Sequence, residues 1–111
     1  MVTFNRFEKL RRTVQRLLEE PLDHILVIEN GSTDGTRDWL RGLSDPRLLV
    51  LEQTENGGGA RGFEVGMREA DARFDPEWYL VMDDDARPEP GAVAAFRATL
   101  PRAPAAVLAA V

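Results

Sequence analysis

Apolar positions along this chain follow two different repeats. Phe7, Leu10, Val14, Leu17 and Leu18 recur at intervals of three and four, the spacing of one helix face, and predict an amphipathic helix over Arg6 to Glu19. Asn5 with Glu8 three residues later has the composition of a capping box, and Pro21 closes the segment. His24 to Ile28 is continuously apolar after its first residue, as expected of a strand buried on both faces of a parallel sheet. The turn formers Asn30 to Gly35 follow, then a second helix over Thr36 to Leu43 and a short strand over Arg47 to Leu51. Thr54 to Gly59 reads as a loop. Ala60 to Arg73 reads as a third helix using Phe63, Met67 and Ala70, and Trp78 to Met82 as a fourth strand. Pro90 suits the first turn of a fourth helix running to Leu100. Met1 to Phe4 is a β-prone stub, and Ala105 to Val111 begins a further strand.

Alternation of strands and helices predicts an α/β fold with a mostly parallel sheet, helices on both faces and right-handed crossovers. Residues 1–111 read as a single domain, without repeats or a linker. Both ends read as cut: the first strand is a stub, and the last residues stop inside an apolar run. Exposed apolar surface and unpaired sheet edges then predict self-association of the isolated chain.

Composition removes several classes of chemistry. The chain has no cysteine, which excludes disulfides, thiolate metal sites and cysteine nucleophiles. No stretch approaches the length of a membrane span and no signal peptide opens the chain, so the expected compartment is the cytoplasm. A formal net charge of −5 argues against a general nucleic-acid binder. It leaves room for a single nucleotide, because a bound metal reverses the local field.

Three segments are placed to converge at the carboxyl edge of the sheet, where ligands sit in open α/β folds. Asp83-Asp84-Asp85 ends the fourth apolar run. Adjacent carboxylates raise one another's pKa, and a hard divalent cation removes that cost. Backbone alternation puts Asp83 and Asp85 on one side and Asp84 on the other. A solvated acidic turn is the plainer alternative. Glu29 ends the second strand, where a carboxylate can accept from a base N–H or from ribose hydroxyls; the alternative is a helix start capped by Ser32 or Asp34. Asn56 to Phe63 is glycine-rich and opens a helix, which favours close approach of a phosphate, with Arg61 as a partner for a diphosphate. It matches neither a Walker loop nor a dinucleotide fingerprint, and a plain flexible loop is the alternative. His24 reads as structural, and Trp39, Trp78 and Phe96 read as core residues. Arg11, Arg12 and Arg16 read as a solvated face.

Taken in order, Thr3-Phe4-Asn5-Arg6, Ile28 to Thr36, Asn56 to Gly66 and Asp83-Asp84-Asp85 resemble family 2 glycosyltransferases of the GT-A fold. The resemblance spans essentially the whole chain and matches the Rossmann-like, nucleotide-sugar-binding N-terminal half of that fold. The stretch from Asn56 to Gly66, followed by three aspartates, looks most like the rhamnosyl- and galactofuranosyltransferase branch. The resemblance implies that Thr3, Phe4 and Arg6 line the base and diphosphate. Glu29 would hold the uracil or thymine ring or its ribose, and Asn56 and Gly58 would lie beside the nucleotide. Asp83, Asp84 and Asp85 match an Asp-x-Asp motif whose outer members address ribose and metal, with Asp83 and Asp85 holding Mn²⁺ or Mg²⁺. The implied partners are a UDP- or dTDP-sugar donor and a glycan or lipid-linked acceptor, with peripheral membrane association of the full-length protein and a role in cell-envelope glycan synthesis. Two positions depart from the pattern: Glu29 stands where an Asp is usual, and Arg61 where that branch has Gly.

The catalytic base of this fold lies after the Asp-x-Asp motif, and the chain ends 26 residues beyond Asp85 with Glu89 the one candidate after Pro88. The expectation is therefore a donor-binding part that does not transfer sugar alone. Two other readings stay open. A sugar nucleotidyltransferase would need a Gly-rich, Arg-containing loop where Thr3-Phe4-Asn5-Arg6 stands, and a non-catalytic nucleotide-binding module would bind without turnover. Glycosidase chemistry is disfavoured, because no separated pair of carboxylates is in evidence.

Overall fold

The apolar run after His24 forms the central strand of a parallel sheet in the computed structural model, which describes residues 1–100. The strands are β1 (Val2–Thr3), β2 (Ile25–Glu29) and β3 (Leu48–Glu52), in spatial order β1-β2-β3. Val2 lies opposite Ile28 and Thr3 opposite Glu29; across the other edge of β2, Ile25 to Glu29 pair with Leu48 to Glu52. The helices are α1 (Phe7–Leu18), α2 (Thr36–Arg41), α3 (Gly59–Phe74) and α4 (Ala92–Thr99). This is the α/β architecture expected from the pattern of apolar positions, and most boundaries fall within two residues of those expected. The strand expected over Ala105 to Val111 lies outside the described residues. No described helix is long and apolar enough to cross a membrane.

Alternation along β2 sends successive side chains to opposite faces. Val27 joins Leu10 and Val14 of α1 and Leu40 of α2 in a fully buried cluster, with Leu18, Trp39, Leu43, Leu48 and Val50 packed against it. Ile28 faces α3 on the other side. There α3 approaches through two glycines a turn apart: a Cβ on Gly66 would lie 3.3 Å from Ile28, and one on Gly62 would lie 2.7 Å from both methyls of Val2. His24 stacks on Phe74 with ring centroids 3.7 Å apart, a structural role as expected. Trp39, Trp78 and Phe96 are half-buried, so they flank the core without filling it.

Two expectations are corrected. Trp78 to Met82 forms no strand; it runs without ladder partners, and Leu80 and Val81 are about half exposed (50% and 53%). The neighbour it would need is β1, which has two residues and is followed by Asn5 in a left-handed conformation (φ 49°). So short an edge offers too few backbone groups to hold another strand. Nor does Asn5 cap α1 with a capping box. Its Oδ1 accepts from Thr33 N–H at 2.7 Å, and the first N–H of α1, on Phe7, is instead satisfied by Asp34 Oδ2 at 3.1 Å. Glu8 pairs with Arg11. The orphan donor of a helix start is met here by a loop 27 residues away.

The close approach at α3 yields a stability prediction. Gly62→Ala gains roughly 1 kcal/mol of helix propensity, but its methyl meets the branched carbons of Val2, and overpacking of that kind costs about 1–3 kcal/mol. The clash wins, so the variant unfolds at lower urea concentration. Gly66→Ala meets the flexible end of Ile28 and loses less. Urea midpoints that place Gly66→Ala below Gly62→Ala would show that α3 does not rest on Val2.

Candidate functional site

The chain turns sharply at the carboxyl ends of β1 and β2, and the two turns are stitched together. Asn5 N–H donates to Ser32 Oγ at 2.9 Å, while Asp34 accepts from Phe7 N–H and from Thr36 N–H (3.2 Å) and Oγ1 (2.5 Å). Gly31 takes φ 87° where its backbone passes Glu55; a Cβ there would lie 3.3 Å from the Glu55 Cα. A side chain would be strained and crowded at that position.

Beside these turns lies a cavity of about 620 Å³. Val2, Thr3, Phe4 and Arg6 form one wall, Asn30, Asn56, Gly58, Gly59 and Phe63 another, and Asp83, Asp84 and Asp85 close the third. The N-terminus of the 16-residue α3 opens onto it through Gly58 and Gly59, an arrangement that favours negative charge. Asn30 is buried and anchors the glycine loop: its Nδ2 donates to Asn56 Oδ1 and to the Gly58 carbonyl, each at 3.3 Å. Asn56 Oδ1 also accepts from Gly58 N–H at 2.8 Å.

The three aspartates lie in no strand, so alternation does not place them. A turn closed by Ala86 N–H donating to the Asp83 carbonyl at 3.2 Å does, and all three line the cavity with different burial. Asp84 is buried and accepts from Thr3 Oγ1 at 2.9 Å. Asp83 and Asp85 remain exposed on the cavity side. One nitrogen of the half-exposed Arg6 sits 3.4 Å from Asp84 and 3.3 Å from Asp85. Among the described residues no three acidic or imidazole groups form a preassembled metal cage. No buried side-chain polar atom among them lacks a partner.

Of the site residues expected from sequence, Thr3, Phe4, Arg6, Asn56, Gly58, Asp83, Asp84 and Asp85 line this one cavity. Two do not. Arg61 is exposed on the first turn of α3 and folds back over Gly57, away from the lining. Glu29 was expected beside the nucleoside and outside the core; it is instead fully buried. Its Oε1 accepts from Ser32 N–H at 2.6 Å and its Oε2 from Arg37 Nε at 2.5 Å. Arg37 in turn donates to the Gln53 carbonyl, which ties β2, α2 and the end of β3 together. Burial pushes the Glu29 carboxyl up, but the Ser32 and Arg37 hydrogen bonds outweigh it and hold the group below its ordinary value near 4.5. Val2, Asn30, Gly59 and Phe63 also line the cavity. Asn30, Gly59 and Phe63 fall within the two segments expected to converge there, and Val2 is the unexpected member, brought in beside Thr3 on β1.

The profile of a family described as "Glycosyl transferase family 2" matches residues 1–111. The chain is also similar to an "Undecaprenyl-phosphate mannosyltransferase" of Micrococcus luteus, at 36% identity over 69 residues. That match covers 60% of this chain and 28% of the relative's length. No solved structure matches the chain.

The buried Glu29 generates a prediction with a definite sign in pH. Removing one partner from a buried hydrogen-bonded pair leaves Arg37 and Ser32 N–H unsatisfied, so Glu29→Ala loses about 1–3 kcal/mol at pH 7. Because the folded carboxyl titrates below its ordinary value, its contribution is complete above about pH 4.5 and fades as pH falls through the lower folded value. The stability gap between wild type and variant therefore narrows in acid. Urea unfolding at pH 7 and pH 3 measures it. An unchanged midpoint with lost nucleotide affinity would restore Glu29 to the ligand.

Proposed function

The chain belongs to glycosyl transferase family 2, and on that premise we propose that the cavity binds the nucleoside-diphosphate sugar donor of an inverting, metal-dependent glycosyltransferase. The observation that carries this reading is the convergence of Asp83 and Asp85, Arg6 and the N-terminus of α3 on one cavity. Exposed carboxylates alone would repel a diphosphate. A helix N-terminus and a guanidinium alone would hold it without a metal. Together they suit a diphosphate bridged to the protein by a divalent cation.

The residues present fit such a cation in one way. They form no closed cage, but Mg²⁺ accepts one or two carboxylates and completes its shell with water and substrate phosphates. Asp83 and Asp85 supply that pair, and Mn²⁺ can take the same donors. When bound, the cation would neutralise the leaving diphosphate as a Lewis acid. The chain's own groups do the rest. Thr3 and Arg6 hold Asp84, which sets the register of the two outer aspartates. Asn30 holds Asn56 and Gly58, which sets the loop at the start of α3. Phe4, 40% exposed, offers an apolar surface to the base.

For the nucleotide we propose UDP or dTDP. For the reaction we propose rhamnosyl or galactofuranosyl transfer to a glycan or lipid-linked acceptor in cell-envelope synthesis, on the sequence of residues Asn56 to Gly66 before the aspartates. A second reading rests on the relative's name, which makes a polyprenyl phosphate the acceptor and mannose the sugar.

Calorimetry with UDP and dTDP tests the donor site. Asp85→Ala weakens nucleotide binding by roughly tenfold or more in Mn²⁺, the equivalent of one charge-assisted contact, and leaves any residual binding in EDTA nearly unchanged. Equal losses in Mn²⁺ and EDTA would remove the metal role. No nucleotide binding under either condition would remove the donor site.

A further inference from the structure

A second concave feature lies on the far side of Asp85. It is a groove of about 440 Å³ between α1 and the segment after the aspartates, lined by Glu8, Lys9, Arg12, Asp85 and Arg87. Its two acids are already engaged: Glu8 pairs with Arg11 at 2.9 Å and Asp85 with Arg6 at 3.3 Å. Lys9, Arg12 and Arg87 form no ion pair among the described residues. Three exposed cations thus face one groove in a chain whose net charge is −5.

The groove is built, not incidental. Lys9 and Arg12 are three residues apart on α1 and share a face. Arg87 comes from the opposite wall, which is tied to α1 beside it. Arg16 Nε donates to the Pro88 carbonyl at 3.2 Å, and the buried Glu20 accepts from Gly91 N–H at 3.4 Å and Val93 N–H at 3.3 Å. Arg16 and Glu20 also pair with each other at 2.9 Å. Both walls therefore keep their spacing without a ligand.

We propose that this groove binds the phosphate group of the acceptor substrate. Three separate donors from two walls match a phosphate better than a carboxylate, because a phosphate presents oxygens in three directions. The assignment to the acceptor rests on the donor reading above, in which the donor's diphosphate is held by Arg6, α3 and the metal on the other side of Asp85. Because Asp85 lines both cavities, a phosphate held by Lys9, Arg12 and Arg87 lies one side chain from the donor site. The groove thereby brings the second substrate to the edge of the first.

The test titrates inorganic phosphate into the 111-residue chain with Mg²⁺ and saturating UDP, using the wild type and the double variant Arg12→Glu/Arg87→Glu. UDP binding is measured separately for each protein, and circular dichroism confirms the fold; Lys9→Ala serves as a milder variant. The expected result is phosphate binding that persists with UDP bound, falls as salt is raised, and weakens roughly tenfold or more in the double variant, while UDP affinity is unchanged. Glycerol phosphate and phosphatidic acid vesicles, against phosphatidylcholine vesicles, then identify whether a soluble ester or a lipid headgroup is preferred, and binding of either supports the groove. Phosphate binding that is absent, displaced by UDP or unaltered in both variants overturns the proposal. If phosphate binding is sensitive to the variants and UDP does not bind at all, the groove stands as a phosphate site and the donor reading fails.

Discussion

Residues 83–93 are held to the sheet by side chains, because the segment before them pairs with no strand. Thr3 Oγ1 to Asp84 is the central tie, at 2.9 Å and buried. Arg6 adds a second, weaker hold on the same side. Arg16 on Pro88, and Glu20 on the backbone of Gly91 and Val93, secure the other end. Burial pushes the Glu20 carboxyl up, and the hydrogen bonds from Val93, Arg16 and Gly91 more than reverse it. Both proposed ligand sites depend on this arrangement. The cavity takes its third wall from Asp83 to Asp85, and the groove takes Arg87 from the same stretch. A buried hydrogen bond between a hydroxyl and a carboxylate is worth about 1.5–3 kcal/mol, enough to set the position of a short loop.

The elements that local periodicity controls were legible in the sequence. A stripe at three and four gives α1, and an unbroken apolar run gives β2, because burial of those faces is what makes each element stable. Where long-range contacts decide, local reading fails. Asn5 and Glu8 have the composition of a capping box, yet the loop Ser32 to Asp34 supplies better partners and takes over both Asn5 and the first N–H of the helix. Trp78 to Met82 has the composition of a strand, but composition says nothing about whether a partner edge exists.

Site chemistry followed the same division. Thr3, Phe4, Arg6, Asn56 and Gly58 meet at one cavity because strand ends and a helix start are fixed by the α/β topology itself. Asp83, Asp84 and Asp85 join them through the tie of Asp84 to Thr3. Glu29 was misplaced because a strand-end acid can turn outward to a ligand or inward to a basic residue. The choice lay with Arg37, one loop further along and with no local signature. With both oxygens engaged, Glu29 determines the shape of the loop that presents Asn30 and Gly31.

The aspartate triplet shows how three identical side chains acquire different tasks. The turn closed by Ala86 N–H on the Asp83 carbonyl sends Asp84 inward to Thr3 and leaves its neighbours exposed. Asp84 then loses its solvent and gains Thr3, so it becomes an anchor. Asp83 and Asp85 keep theirs and remain available. Arg6 occupies the space between anchor and ligand positions, but its guanidinium is half exposed and its contacts are long, at 3.3 and 3.4 Å. Exposed pairs of that kind are worth about 0–1 kcal/mol. On the donor reading proposed above, a divalent cation held by Asp83 and Asp85 would meet only this weak competitor at Asp85, and Arg6 would be free to turn its charge toward the diphosphate. The pairing of Arg6 with Asp85 is weak enough for such an exchange.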